Sequence, residues 1–197
     1  MQKWKRIDLI VMILWPIVAS VITILFEKSG LIHENFFISV VIFLTLPAIY
    51  LSIKKLEIVP KTLLTSLIAS IPITIIVEYL GYISEAWSLP ATVFPFKIFG
   101  VVIFEMLFWS FWSIYFVIVF HEYFWDEQKG EKLVSDRFKF FTFAVLVIFI
   151  LFLFVIFNIT VPPIPYFYLI FGLILFGLPT LLQLISYHKN RRLNIKY

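Results

Sequence analysis

Long apolar runs, broken at short intervals by clusters of charge, set the pattern of this chain. Six runs reach the length needed to cross a bilayer: 7–26, 35–53, 62–83, 98–121, 138–159 and 165–187. Within each, Leu, Ile, Val and Phe recur all round instead of along one stripe, as in helices surrounded by lipid. At about 1.5 Å per residue, a run of about 20 residues spans a hydrocarbon core of about 30 Å. The pattern predicts an all-α, polytopic bundle of six transmembrane helices forming a single domain over residues 1–197. Pro16, Pro47, Pro72 and Pro179 fall inside the predicted helices and are expected to bend them.

Composition agrees with this pattern. Of 197 residues, 62% are hydrophobic and 14% charged, more apolar surface than a soluble domain of this size can hide. The chain has no cysteine, which excludes disulfides, thiolate nucleophiles and cysteine-based metal sites. The net charge of +4 does not point to nucleic acid, because the basic residues sort by membrane side. With a cytoplasmic N-terminus, that side collects Lys3, Lys5, Arg6, Lys54, Lys55, Lys61, Lys129, Lys132, Arg137, Lys139, Lys189, Arg191, Arg192 and Lys196, against Lys28 and Lys97 opposite. The positive-inside rule then places both termini in the cytoplasm. The expected location is the cell membrane, with lipids as the immediate neighbours. The basic start MQKWKR precedes a run too long for a signal peptide and free of an A-x-A cleavage pattern, so a retained helix is expected.

Two carboxyl groups stand out against this background. Counted from the expected span ends, Glu78 lies about five residues before the outer end of the third helix. Glu105 lies about seven residues past the outer start of the fourth. At about 1.5 Å per residue, both sit roughly 8–10 Å below the outer surface and are placed to face one cavity. A charge at mid-helix costs on the order of 3 kcal/mol, and burial favours the neutral, proton-bearing form of a carboxyl group. The pair thus reads as an acid and a base, or as an interhelical hydrogen bond worth about 1 kcal/mol. Between them lies an outer loop with Glu85, Trp87, Pro90 and Pro95, expected to cap the helix ends, with Trp87 also suited to interfacial anchoring. Phe108, Trp109, Trp112 and Phe116 follow Glu105 on one helical face, where rings can stabilise a cation. Asn158 and Thr160 are candidate polar neighbours on the outer side, or simple helix-end caps. His121 and Glu122 read as a solvated helix end, with Tyr123 and Trp125 in the inner aromatic belt.

Several chemistries are excluded. The aspartates Asp8, Asp126 and Asp136 form no diphosphate-binding motif, and there is no P-loop, GxGxxG, HExxH or GxSxG. His33, His121 and His188 are scattered over different loops, so neither a metal nor another cofactor is expected.

The region from Glu78 to Glu122 resembles the integral-membrane lycopene cyclase domain, the small non-flavin type found as heterodimers or fused halves. Glu78 stands for the family's first acid and Trp87 for its loop Trp. GVVIFEMLFW, Gly100 to Trp109, overlays the block G-L-P-I-E-E-x-L-F-F, and His121-Glu122 overlays the Y-E helix end. Val102 replaces the block's Pro, and Phe104 replaces its first Glu, leaving Glu105 as the second. The resemblance implies acid–base isomerisation of a carotenoid end group in the membrane, without a redox change or a cofactor. Glu105 would be the general acid and Glu78 its partner. Glu85, Trp87, Phe108, Trp109, Trp112 and Asn158 would bind the polyene. Because the family's active unit combines two halves, the resemblance also implies a homodimer or a second cyclase-type subunit. Two other classes fit six helices in about 200 residues: a non-catalytic ligand binder such as a transporter's substrate-capture subunit, and a structural or assembly protein.

Overall fold

In a computed structural model, residues 3–29, 36–86, 92–124 and 136–177 can be described. The chain divides into two compact units, one of Met1–Tyr79 with Leu89–Ile159 and the other of Leu80–Ser88 with Thr160–Tyr197. The described residues are mostly helical. Helix α1 is Lys3–Lys28. A second rod runs as α2 (Phe36–Val40), a π turn (Val41–Thr45) and α3 (Leu46–Lys54). A 3-10 turn, Leu56–Ile58, leads into α4 (Val59–Ile83). Two short strands, β1 (Lys97–Ile98) and β2 (Val102–Ile103), precede α5 (Phe104–Phe124); α6 is Asp136–Asn158 and α7 is Phe167–Gly172. Among the described residues, four helices are long and apolar enough to cross a membrane: Trp4–Lys28, Phe36–Lys54, Leu56–Ile83 and Phe104–Phe124. A shorter apolar helix covers Thr142–Asn158. The expected span at 165–187 coincides with α7 and a π turn, Leu173–Gly177; the rest of that span, with Pro179, lies outside the described residues.

The π turn has a local cause. Pro47 has no N–H, and its ring crowds the carbonyl four residues back. The chain widens just before it, so that the Leu46 N–H bonds the Val41 carbonyl. In that register the Ile42 carbonyl would need a donor from position 47, which proline cannot supply. Trp15 of α1 supplies it instead, its Nε1–H donating to the Ile42 carbonyl at 2.9 Å. One missing hydrogen thus becomes a tie between two helices.

The core of the larger unit lies where α1, α3 and α5 meet. Ala48, Leu51 and Val119 are fully buried, with Met12, Tyr115, Tyr123 and Phe124 around them. Ala48 lets the backbones approach closely, as small residues do in membrane bundles. Ser52 Oγ and the Tyr115 hydroxyl are 2.8 Å apart across this seam. Elsewhere the surface is apolar: Ile10, Ile13, Ile17, Leu25, Ile148 and Leu151 are exposed, which suits hydrocarbon and not water.

At one end of this core Asp8 is 3% exposed. Its Oδ1 accepts from the Tyr50 hydroxyl at 2.5 Å and its Oδ2 from the Tyr123 hydroxyl. Lys54 Nζ lies 3.8 Å from Oδ1, and Lys5 sits over the Tyr123 ring. Three helices therefore share one carboxylate. Tyr123 is accordingly not a member of an aromatic belt: its ring is buried, and its hydroxyl needs an internal acceptor. Glu122 is not simply a solvated end either. Its carboxylate lies 3.7 Å from Lys61, and its backbone carbonyl accepts from Lys55 Nζ at 2.9 Å. Trp125 lies outside the described residues.

This junction predicts a coupled pair of substitutions. Tyr50→Phe and Tyr123→Phe should each lower stability by about 1–3 kcal/mol, since each leaves the buried Asp8 short of a donor. Because both serve one carboxylate, the double variant should depart from additivity by about 0.5 kcal/mol or more. Denaturant titration of the purified protein in detergent measures both quantities, and strict additivity would contradict the shared acceptor.

Candidate functional site

The segment before α5 is where the sequence expectation needs correction. Residues 98–103 are not the first turns of a helix. Lys97 pairs with Ile103 and Ile98 with Val102 in an antiparallel hairpin. The three-residue loop between them, 99–101, has positive φ at Phe99 (φ 53) and Gly100 (φ 73), and the Val101 N–H bonds the Ile98 carbonyl at 3.2 Å. Two successive residues in the left-handed region reverse the chain here, and one of them, Phe99, is not glycine. The following β-branched run Val101, Val102 and Ile103 favours strand over helix. Val102 is 1% exposed, so it serves as a core contact. Helix α5 consequently starts at Phe104, and Glu105 lies in its first turn.

That placement gives Glu105 its surroundings. Its side chain is 1% exposed. The N–H groups of Val93 and Phe94 both donate to Oε1, at 2.5 and 3.0 Å. A carboxyl group in the first turn also faces the positive end of the helix dipole. Oε2 is buried and has no hydrogen-bond partner. Aromatic rings crowd the same region. Phe94 packs edge-on to Phe104 at 4.8 Å and to Phe37 at 5.6 Å, and Phe37 lies 4.6 Å from Phe108. Phe108 in turn meets Trp112 at 6.1 Å. The geometry is that of a carboxyl group fixed by one oxygen and left unpaired at the other, in an aromatic wall.

The remaining candidates fall out differently. Glu78 is buried, 5% exposed, near the end of α4. It precedes that helix end by five residues, whereas Glu105 follows the start of its own helix by one. The similar depths expected from span ends therefore do not carry over to the helix ends. Glu85 is exposed, and its backbone does the local work: at φ 51 it closes α4, with its N–H on the Tyr82 carbonyl and that of Ala86 on the Gly81 carbonyl. This is a Schellman cap with glutamate where glycine is usual. Trp109 is 41% exposed. Asn158 is exposed and donates to the Phe154 carbonyl of its own helix at 2.8 Å, a helix-end contact. Thr160 is exposed. Trp87 lies outside the described residues.

Apart from the acids there is an apolar groove of about 340 Å³, lined by residues that include Met12, Trp15, Pro47, Phe116 and Phe120. Phe116 belongs to the aromatic face expected below Glu105, and it lines this groove instead of meeting the carboxyl group. Among the described residues no three His, Asp or Glu side chains come together in a way that could hold a metal ion.

Sequence reasoning missed three features: the Asp8 junction, the Trp15 tie, and a buried ridge of hydroxyls on α4. Each had a faint signal. Asp8 is a lone acid at the basic mouth of an apolar run, Pro47 implies an orphaned carbonyl, and the hydroxyls recur at a spacing of four. Comparison of the chain with family models, with curated proteins and with solved structures gives no match.

Proposed function

We propose that the chain is a six-span protein of the cell membrane, with both termini cytoplasmic, that carries out acid–base isomerisation of an apolar polyene end group. The observation that carries this reading is the state of Glu105: Oε1 held by two backbone N–H groups, Oε2 buried and unpaired, and aromatic rings beside it. A proton on Oε2 would pass to the terminal double bond. The neighbouring alkene would then attack the cation and close a ring, and Glu78 would take a proton from the adjacent carbon to restore a double bond. Atoms are conserved and no redox partner is needed. An isolated carboxylic acid protonates an alkene poorly. Here the Val93 and Phe94 N–H groups and the helix start would stabilise the carboxylate as it forms, while rings stabilise the cation. The resemblance to the lycopene cyclase domain supports the same chemistry, with a second copy or a related subunit to complete the unit.

A second reading is a non-catalytic binder of an apolar ligand. It is favoured by the groove between Trp15, Pro47 and Phe120, whose lining includes neither acid.

Expression in cells that accumulate a linear carotenoid separates the two. The chain should yield ring-bearing products, and Glu105→Gln should reduce them by about 10²–10⁴-fold, the usual loss for a general acid. Gln keeps the acceptor for Val93 and Phe94, so the variant should still accumulate in the membrane. An equally active Glu105→Gln variant would remove the proton-donor role, and a chain that gives no cyclic product would leave the binder.

The topology is tested separately by reporter fusions. Fusions after residues 56 and 130 should report cytoplasm, and those at 30, 90 and 162 the opposite side. An outside signal at 130 would overturn the six-span arrangement.

A further inference from the structure

Helix α4 carries Thr62, Ser66, Ser70, Thr74 and Glu78, each four residues after the last. Leu, Ile and Val fill most of the positions between. All five are buried: Thr62 1%, Ser66 0%, Ser70 1%, Thr74 5% and Glu78 5% exposed. They form an i+4 ridge, the row along which helices interdigitate. From Thr62 to Glu78 the ridge rises about 24 Å, most of the thickness of a hydrocarbon core.

Hydroxyls in apolar helices ordinarily bond back to their own backbone, and two of these do. Thr62 donates to the Ile58 carbonyl at 2.9 Å, and Ser70 makes a long contact of 3.5 Å with the Leu67 carbonyl. Ser66 Oγ and Thr74 Oγ1, alternating with them, are buried without any partner. An unpaired buried hydroxyl costs about 1–3 kcal/mol. If the ridge served packing alone, alanine at these two positions would pack equally well without that cost.

The spacing suits another use. Adjacent ridge positions are separated by about 6 Å along the axis. Two O–H···O bonds of about 2.8 Å, joined through one water, cover nearly that distance. A hydroxyl can accept one hydrogen bond while donating another, so a hydroxyl–water row passes a proton without carrying a charge of its own. The ends of the ridge are suited to exchange. Beside Thr62, the preceding residue Lys61 is paired with Glu122 at 3.7 Å, and Lys61 is partly exposed. At the other end stands Glu78, a carboxyl group able to take up and release the proton.

We propose that this ridge is a proton path, running from the Lys61–Glu122 end of α4 through Ser66, Ser70 and Thr74 to Glu78. Each proton that enters at one end displaces one along the row. Hydrogen bonds exchange and no covalent bond other than O–H is made or broken. The path does not depend on the cyclase reading.

The test uses the full chain reconstituted in liposomes of neutral lipid, with a pH-sensitive dye inside and potassium with valinomycin to balance charge. After an external acid step, internal acidification should exceed that of protein-free liposomes by at least tenfold. Glu78→Gln should lower it about tenfold, and so should Ser66→Val with Thr74→Val, which fills the row with methyl groups. Thr74→Ser keeps the hydroxyl and should conduct as the parent does. Circular dichroism and equal incorporation confirm that each variant is folded. Acidification no faster than in protein-free liposomes would overturn the proposal. So would a folded Ser66→Val, Thr74→Val double variant that conducts normally, which would leave the ridge as packing.

Discussion

The loop before α5 is held by a single acceptor. Glu105 Oε1 takes the N–H groups of both Val93 and Phe94, and in an apolar setting those donors have few alternatives. With them fixed, the Phe94 ring lies against Phe104 and Phe37. The hairpin of Lys97–Ile98 with Val102–Ile103 then returns the chain to the helix start. One carboxyl group therefore sets both the loop and the aromatic wall. The same contacts leave its other oxygen buried and unpaired, which is why one side chain is both a structural tie and the best candidate for chemistry.

The other polar groups obey the same constraint with different outcomes. Asp8 is fully served, by two tyrosines and a lysine, and joins three helices. The Ile42 carbonyl, orphaned by Pro47, is served by Trp15. Thr45, Ser66, Thr74, Thr142 and Glu105 Oε2 are buried and not served. In a bundle where most polar groups find a partner, the unserved ones mark where a ligand, a proton or water has most to gain.

How much of this could be read from the chain depended on the length scale of the signal. The apolar runs located α1, α4 and α6 to within a few residues, because hydrocarbon tolerates little else over about 20 residues. They overextended α5 by six residues at its start. The run from Ile98 to Ile103 is as apolar as a helix, and it is the left-handed Phe99-Gly100 pair that turns the chain back into a hairpin. Hydropathy carries no information about φ. Glu78 and Glu105 were legible as rare acids in apolar runs, and both are buried. The partners of Glu105 were not legible, since backbone N–H groups leave no mark in sequence. Asn158 drew attention at a helix end and Glu85 in the outer loop, and their observed roles are local: a backbone contact and a left-handed cap.

The central claim is that Glu105 acts as an oriented acceptor for the loop, and amide exchange tests it most directly. In detergent-solubilised protein, hydrogen–deuterium exchange of the Val93 and Phe94 amides should be slow. Glu105→Gln, which retains the acceptor oxygen, should leave it slow. Glu105→Leu should speed it by about tenfold or more, the equivalent of losing about 1.4 kcal/mol of local protection. Exchange in this segment that is fast in the parent chain, or unchanged by Glu105→Leu, would contradict the account.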